Sequence, residues 1–127
     1  RMLVYRCADL MFCTRVRSAA DDIGLTSRPV RSIDMLRARL DRVDDGRPND
    51  AVTSLVVEID GEPLANELIQ VARAHDGELA IVAFGPHVAV AALEAAQAAG
   101  ASAVLTRGAC TRDLPTLMQQ LKGRAGG

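Results

Sequence analysis

The sequence predicts a doubly wound α/β domain, a five-stranded parallel sheet in the order 2-1-3-4-5 with helices on both faces. Short apolar runs at residues 2–5, 54–57, 79–84 and 103–105, with a weaker one at 29–31, alternate with longer segments of helical period. That alternation is the pattern of successive βαβ units. The strong runs are nearly continuous rather than alternating in polarity, as strands covered on both faces must be. The 127 residues leave room for one core of common domain size and no second. Residues 1–123 are therefore expected to form a single domain, with 124–127 a frayed tail.

Each helix carries its own punctuation. Asp9 is placed to cap a first helix whose apolar stripe is approximated by Leu10, Phe12, Val16, Ala19, Ala20 and Ile23, and Gly24 can end it in a left-handed conformation. Ser32 precedes Ile33, Leu36 and Leu40, a second helix that fades into the polar, turn-rich segment 44–50. Pro63 suits the first turn of a third helix carrying Leu64, Leu68, Val71 and Ala72, closed by Gly77. The fourth is expected to follow Pro86, run through Val88 and Leu93, and stop at Gly100. The last spans about residues 111–121.

Five strands and five helices in this order suggest the flavodoxin-like arrangement, in which right-handed crossovers set the first and third strands side by side. Ligands of such sheets sit at the carboxyl ends of the strands, where the strand order reverses. The residues to interrogate are therefore Cys7, Ala8, Asp9, Glu58, Asp60, Gly85, His87 and Arg107.

Composition excludes several function classes. The 15 basic and 16 acidic residues are scattered along the chain, net −1, so no linear basic block announces nucleic acid or an anionic membrane. Aromatic residues make up 2%, too few for base stacking on single strands. No apolar run approaches the roughly 20 residues of a membrane span, and a cytoplasmic protein is expected. Three cysteines, Cys7, Cys13 and Cys110, are odd in number and form no C-x-x-C pair, so neither a disulfide framework nor a metal site is indicated. The first and fifth strands lie three spacings apart, roughly 14 Å, which would also keep Cys110 away from Cys7. With no G-x-G-x-x-G and no P-loop sequence, no cofactor is expected.

Three segments together resemble the receiver domain of bacterial response regulators. Met2-Leu3-Val4-Tyr5-Arg6-Cys7-Ala8-Asp9, followed by a helix ending Ile23-Gly24-Leu25, resembles the receiver's first strand, acidic pair and first helix. Leu55-Val56-Val57-Glu58 resembles the third strand and its phospho-acceptor. Ala98-Ala99-Gly100-Ala101-Ser102-Ala103-Val104-Leu105-Thr106-Arg107-Gly108 resembles the "A-G-A-x-x-x-L-x-K-P" stretch.

The resemblance fails at the positions that do the family's chemistry. Receivers use two acids and an acceptor Asp to hold Mg²⁺, a hard cation that wants oxygen ligands. Here the acid positions read Cys7 and Ala8, with Asp9 one place late, and the acceptor position holds the longer Glu58, with Asp60 the rival. Gly85 replaces a hydroxyl residue, and Arg107-Gly108 replaces Lys-Pro. Arg107 and Glu58, at the ends of the fifth and third strands, are expected to lean over one crevice and form a charge-assisted pair. Cys7 at a helix start also resembles the phosphoryl-accepting cysteine of a sugar-transport phosphotransferase component, but its loop lacks the glycine and hydroxyls that cradle phosphate.

The resulting expectation is a non-enzymatic, phosphorylation-independent receiver-like signalling or scaffolding module, the alternative being a phosphoryl-accepting protein that uses Asp60 or Cys7. The resemblance nominates the face of the fourth helix, fifth strand and fifth helix, residues 88–99 and 111–121, for a protein partner or a homodimer. The alanines of the fourth helix would permit close approach.

Overall fold

The computed structural model describes the backbone of residues 1–41, 43–44, 47–48 and 50–126, with side chains described for 1–41 and 50–123. Five strands form one sheet: β1 Met2–Arg6, β2 Ser27–Pro29, β3 Val52–Glu58, β4 Ala80–Gly85 and β5 Ala103–Thr106. Every pairing is parallel and the order is β2-β1-β3-β4-β5, the doubly wound topology the sequence predicts. Helices α1 Leu10–Asp22, α2 Ile33–Leu40, α3 Pro63–His75, α4 Val90–Ala99, α5 Arg107–Arg112 and α6 Leu114–Gly126 surround it.

Strand side chains alternate, and the two resulting faces have separate cores. Val4, Leu55, Val57, Ile81 and Ala83 pack against α2, α3 and α4 through residues such as Leu36, Leu68, Ile69 and Ala96. On the other face Leu3, Tyr5, Val56, Val82 and Phe84 pack under α1, α5 and α6 through Phe12, Val16, Cys110 and Met118. Both faces being covered, the central strands read as continuous apolar runs.

The caps operate as the sequence indicates. Asp9 accepts from the Met11 amide at 2.9 Å, Ser32 accepts from Met35 at 3.0 Å, Pro63 opens α3, and Gly24 takes φ 72°. Gly100, at φ 128°, ends α4 under the side chain of Arg73. That arginine ties the end of α3 to the α4–β5 turn, donating to the Gly100 carbonyl at 2.9 Å, the Gly77 carbonyl at 2.8 Å and Ser102 Oγ at 3.0 Å. A Cβ on residue 100 would lie 2.9 Å from Arg73 Cβ and Cγ. Gly100→Ala therefore combines an unfavourable φ with a steric clash, and is expected to lower stability by about 2 kcal/mol in urea denaturation.

Several boundaries differ from expectation, each for a local reason. The second strand lies at Ser27–Pro29, starting two residues before the 29–31 run, because an edge strand needs backbone pairing and no apolar run of its own. Leu10 is 80% exposed: the buried stripe of α1 is Phe12, Val16 and Ala20 at a spacing of four, and Leu10 falls off it. Residues 86–89 close a turn through Ala89 N and the Pro86 carbonyl, so α4 starts at Val90 and Val88 lies before it. The last helix is two helices and starts earlier. Thr106 Oγ1 accepts from the Ala109 amide and starts α5 at Arg107. Pro115 has no N–H to give the Thr111 carbonyl, which breaks the helix before α6 begins.

The expected polar loop contains a short antiparallel pairing of Val43–Asp44 with Arg47–Pro48; its remaining residues 45, 46 and 49 lie outside the described residues, as does Gly127. The expected tail at 124–127 falls on side chains outside the described set.

Candidate functional site

The carboxyl ends of β1 and β3 and the start of α5 meet around one carboxylate. Glu58 closes β3 in register with Phe84 and is 1% exposed. Its Oε1 accepts from two backbone amides of the β1–α1 turn, Ala8 N at 2.7 Å and Asp9 N at 3.1 Å. Its Oε2 takes a charge-assisted hydrogen bond from Arg107 Nη2. The pair expected between Glu58 and Arg107 is present, with Arg107 as the first residue of α5 rather than the end of β5. The other arginine nitrogen, Nη1, is 3.5 Å from Asp9 Oδ2, while Asp9 Oδ1 stays on the Met11 amide. Asp9 is thus a helix cap first and a distant partner of Arg107 second.

Asp60, two residues beyond the strand, belongs to a second pair. Arg6 Nη2 donates to Asp60 Oδ2 at 2.9 Å, Arg6 Nη1 donates to the Glu58 carbonyl at 3.2 Å, and Asp60 Oδ1 accepts from the Glu62 amide at 3.1 Å. Burial raises the Asp60 pKa, but the Arg6 and Glu62 hydrogen bonds and the Arg6 charge outweigh it, leaving the group below its ordinary value. A carboxyl depressed in the folded state stabilises the fold above its unfolded pKa of about 3.9, and that contribution disappears as pH falls through the folded value. Asp60→Asn is accordingly expected to flatten the acid side of the stability curve below about pH 4, as followed by thermal melts across pH.

A cleft of about 580 Å³ opens over these groups, lined by Ala8, Asp9, Glu58, Asp60, Pro86 and Arg107 among others. Three residues nominated from the sequence do not line it. Gly85 ends β4 in a tight spot: a Cβ there would lie 3.2 Å from Ile59 Cβ and O and 3.3 Å from Leu93 Cδ2, so these neighbours would have to give way slightly. Cys7 belongs with the layer under α1, where Cys13 Sγ donates to its carbonyl at 3.5 Å. His87 is exposed in the turn after β4 and also stands outside the cleft. Sequence reasoning missed Arg6, whose 54-residue separation from Asp60 leaves no local signal.

Burial first, then the neighbouring Cys13 thiol and the Glu58 charge, push the Cys7 thiol far above its ordinary pKa. Burial and Asp113 push Cys110 up to about 11. Both are protonated near neutral pH, the opposite of an activated nucleophile. Cys7 and Cys110 are both free thiols. Cys110 sits on α5 and is buried in the layer against which Cys7 packs.

No protein-family model and no curated protein matches the sequence. Solved structures do. The chain superposes on a CheY-like response regulator receiver domain protein from Methanospirillum hungatei JF-1 with a TM-score of 0.73 at 12% identity, covering 99% of this chain and 97% of that one. The receiver domain of NtrX from Brucella abortus gives 0.73 at 15% identity over 94% and 96%. A CheY-like protein (tadZ) from Pseudomonas aeruginosa PAO1 gives 0.73 at 21% over 98% and 95%. At such identities the likeness concerns architecture, and from end to end the architecture of this chain is the CheY-like receiver fold.

Proposed function

We propose that the chain is a signal-transduction module of receiver fold that binds a protein partner or a second copy of itself, without catalysing a reaction and without needing a phosphoryl group. The observation that carries this reading is the Glu58 carboxylate, whose two oxygens are already taken by the Ala8 and Asp9 amides and by Arg107. The protein's own side chain fills the anion-binding turn, and its own guanidinium supplies the countercharge. The donor set does not fit the Mg²⁺ that receivers use. Cys7 and Ala8 stand where two acids would, and a cation would have to displace Arg107 to reach Glu58.

Support for a protein-binding role comes from α4 and the second edge strand. Val88 is 77% and Val90 57% exposed. Ala91, Ala95 and Ala98 continue an exposed small apolar face along α4, and Ala103 of β5 is exposed beside it. This is the face the resemblance nominates, with α5 and α6 replacing the single expected helix. The reading places the module in the cytoplasm, and among the described residues no helix is long and apolar enough to cross a membrane.

Incubation with Mg²⁺ and acetyl phosphate, or with beryllofluoride, tests the silent crevice. The expected result is an unchanged intact mass and an unchanged melting temperature. A stable adduct on Asp60, Glu58 or Cys7, or a Mg²⁺-dependent rise in melting temperature, would establish phosphoryl acceptance instead. Self-association is read by sedimentation: a dimer that Ala95→Glu dissolves supports pairing through α4, and a monomer at every concentration leaves a heterologous partner.

A further inference from the structure

A second concave site lies on the other flank of the sheet, between α1 and the edge strand β2. Ser27 pairs with Leu3 and Pro29 with Tyr5, so the alternation of a parallel pair puts these four side chains on one face. Leu10, Cys13 and Arg17, spaced three and four apart, form one stripe of α1 over that face. With Tyr5, Ser27, Pro29, Cys7 and Arg31 this stripe lines a groove of about 370 Å³, within the size range of small-molecule sites.

Its polar groups are unmet. Tyr5 is 5% exposed as a residue, and its hydroxyl, which has no hydrogen-bond partner among the described residues, is the part that opens onto the groove. Burial, and next the Cys13 thiol, raise the Tyr5 pKa while the Arg17 and Arg31 charges oppose them, and these three side chains line the groove with Tyr5. Ser27 Oγ is buried without a partner. A buried hydroxyl in this state is uncommon, and that of Ser27 awaits a partner.

The charge is one-sided. Arg6, Arg17, Arg28 and Arg31 line the groove and no acidic residue does. Arg6 is neutralised by Asp60, whereas the other three, all exposed, have no ion pair among the described residues. In a chain of net charge −1, this is a local concentration of positive charge focused over an apolar floor. Leu10, 80% exposed at the groove's mouth, and Val30 and Leu64 supply further apolar lining.

From these observations we propose that the α1–β2 groove binds a small phosphomonoester with an apolar body. Arg17 and Arg31 hold the dianion by paired N–H donors, the Tyr5 hydroxyl donates a further hydrogen bond, and the apolar part lies against Leu10, Cys13 and Pro29. The groove shares no lining residue with the Glu58 crevice, and the Arg6–Asp60 pair stands between the two.

The sequence contains one Tyr and no Trp, so intrinsic emission reports on Tyr5 alone. The test is a titration of the full chain with n-butyl phosphate, with inorganic phosphate and n-butanol in parallel. A saturable change is expected with butyl phosphate, a weaker one with inorganic phosphate and none with butanol. Arg17→Ala/Arg31→Ala should weaken butyl phosphate binding by about tenfold or more, the loss of charge-assisted hydrogen bonds. Arg15→Ala, exposed on the same helix outside the groove, should leave it unchanged. Absence of a saturable signal in the wild type, or equal affinity in the double variant, overturns the proposal. Circular dichroism confirms folding of the variants, and the single changes Arg17→Gln and Arg31→Gln replace the double variant if it unfolds. Because the crevice is read by adducts and Mg²⁺ response, either result there leaves this outcome unaffected.

Discussion

Phe84→Ala is expected to remove about 3–5 kcal/mol of stability, a large part of the 5–15 kcal/mol that typically holds a domain together. Phe84 is fully buried next to the carboxyl end of β4, and its ring stacks on Phe12 of α1 with centroids 4.3 Å apart and planes 27° apart. These are the only two phenylalanines in the chain, so no third ring is at hand to refill the space. The cost combines lost transfer free energy, a cavity under α1 and the loss of an aromatic pair. The cavity would also undercut the crevice, because the Phe84 carbonyl accepts from Ile59 N at 2.7 Å and the residue is in register with Glu58. Phe84→Leu keeps most of the volume and should cost about 1–2 kcal/mol, chiefly the stack and a small void. Urea denaturation of the two variants measures the difference. A loss below about 1 kcal/mol for the alanine variant would mean that the α1 layer relaxes over the gap instead of being close-packed.

The parts of the fold that were legible in the sequence are those with a local physical cause. Val56, Val57, Ile81 and Val82 announce β3 and β4 because both faces of these strands are covered. Ser27-Arg28-Pro29 announces nothing, because β2 is an edge whose pairing with β1 needs only backbone groups. The break between α5 and α6 did have a signal in Pro115, whose missing N–H ends a helix wherever it falls beyond the first turn. Glu58 and Arg107 were legible as a pair because strand register alone brings β3 and the end of β5 to one edge of the sheet. Arg6 with Asp60, and the arginines of the α1–β2 groove, were not. Arg17, Arg28 and Arg31 are dispersed in the sequence and make no basic block, yet the crossover from α1 to β2 lines one groove with them. Charge convergence of this kind is a property of topology, which linear charge patterning does not carry.

Arg107→Ala is expected to cost about 2 kcal/mol, because it leaves a buried carboxylate half satisfied. Breaking a fully buried ion pair by deleting one partner typically costs 3–5 kcal/mol. Here the Glu58 side chain is 2% exposed but Arg107 is 39% exposed, so water entering the vacated space restores part of the lost solvation. The Ala8 and Asp9 amides still hold Oε1, which further limits the damage. Glu58→Met strands those two amides instead and should cost a comparable amount, about 1–3 kcal/mol. Once Glu58 is gone, removing Arg107 takes away only a solvated cation, so the double variant should be little worse than Glu58→Met alone. A double-mutant cycle in urea is therefore expected to give a coupling energy of about 1–2 kcal/mol. A coupling near zero would mean that Arg107 is free to swing out of the crevice, leaving Glu58 open to a cation, and the self-contained crevice would no longer explain how a receiver fold works without a phosphoryl group.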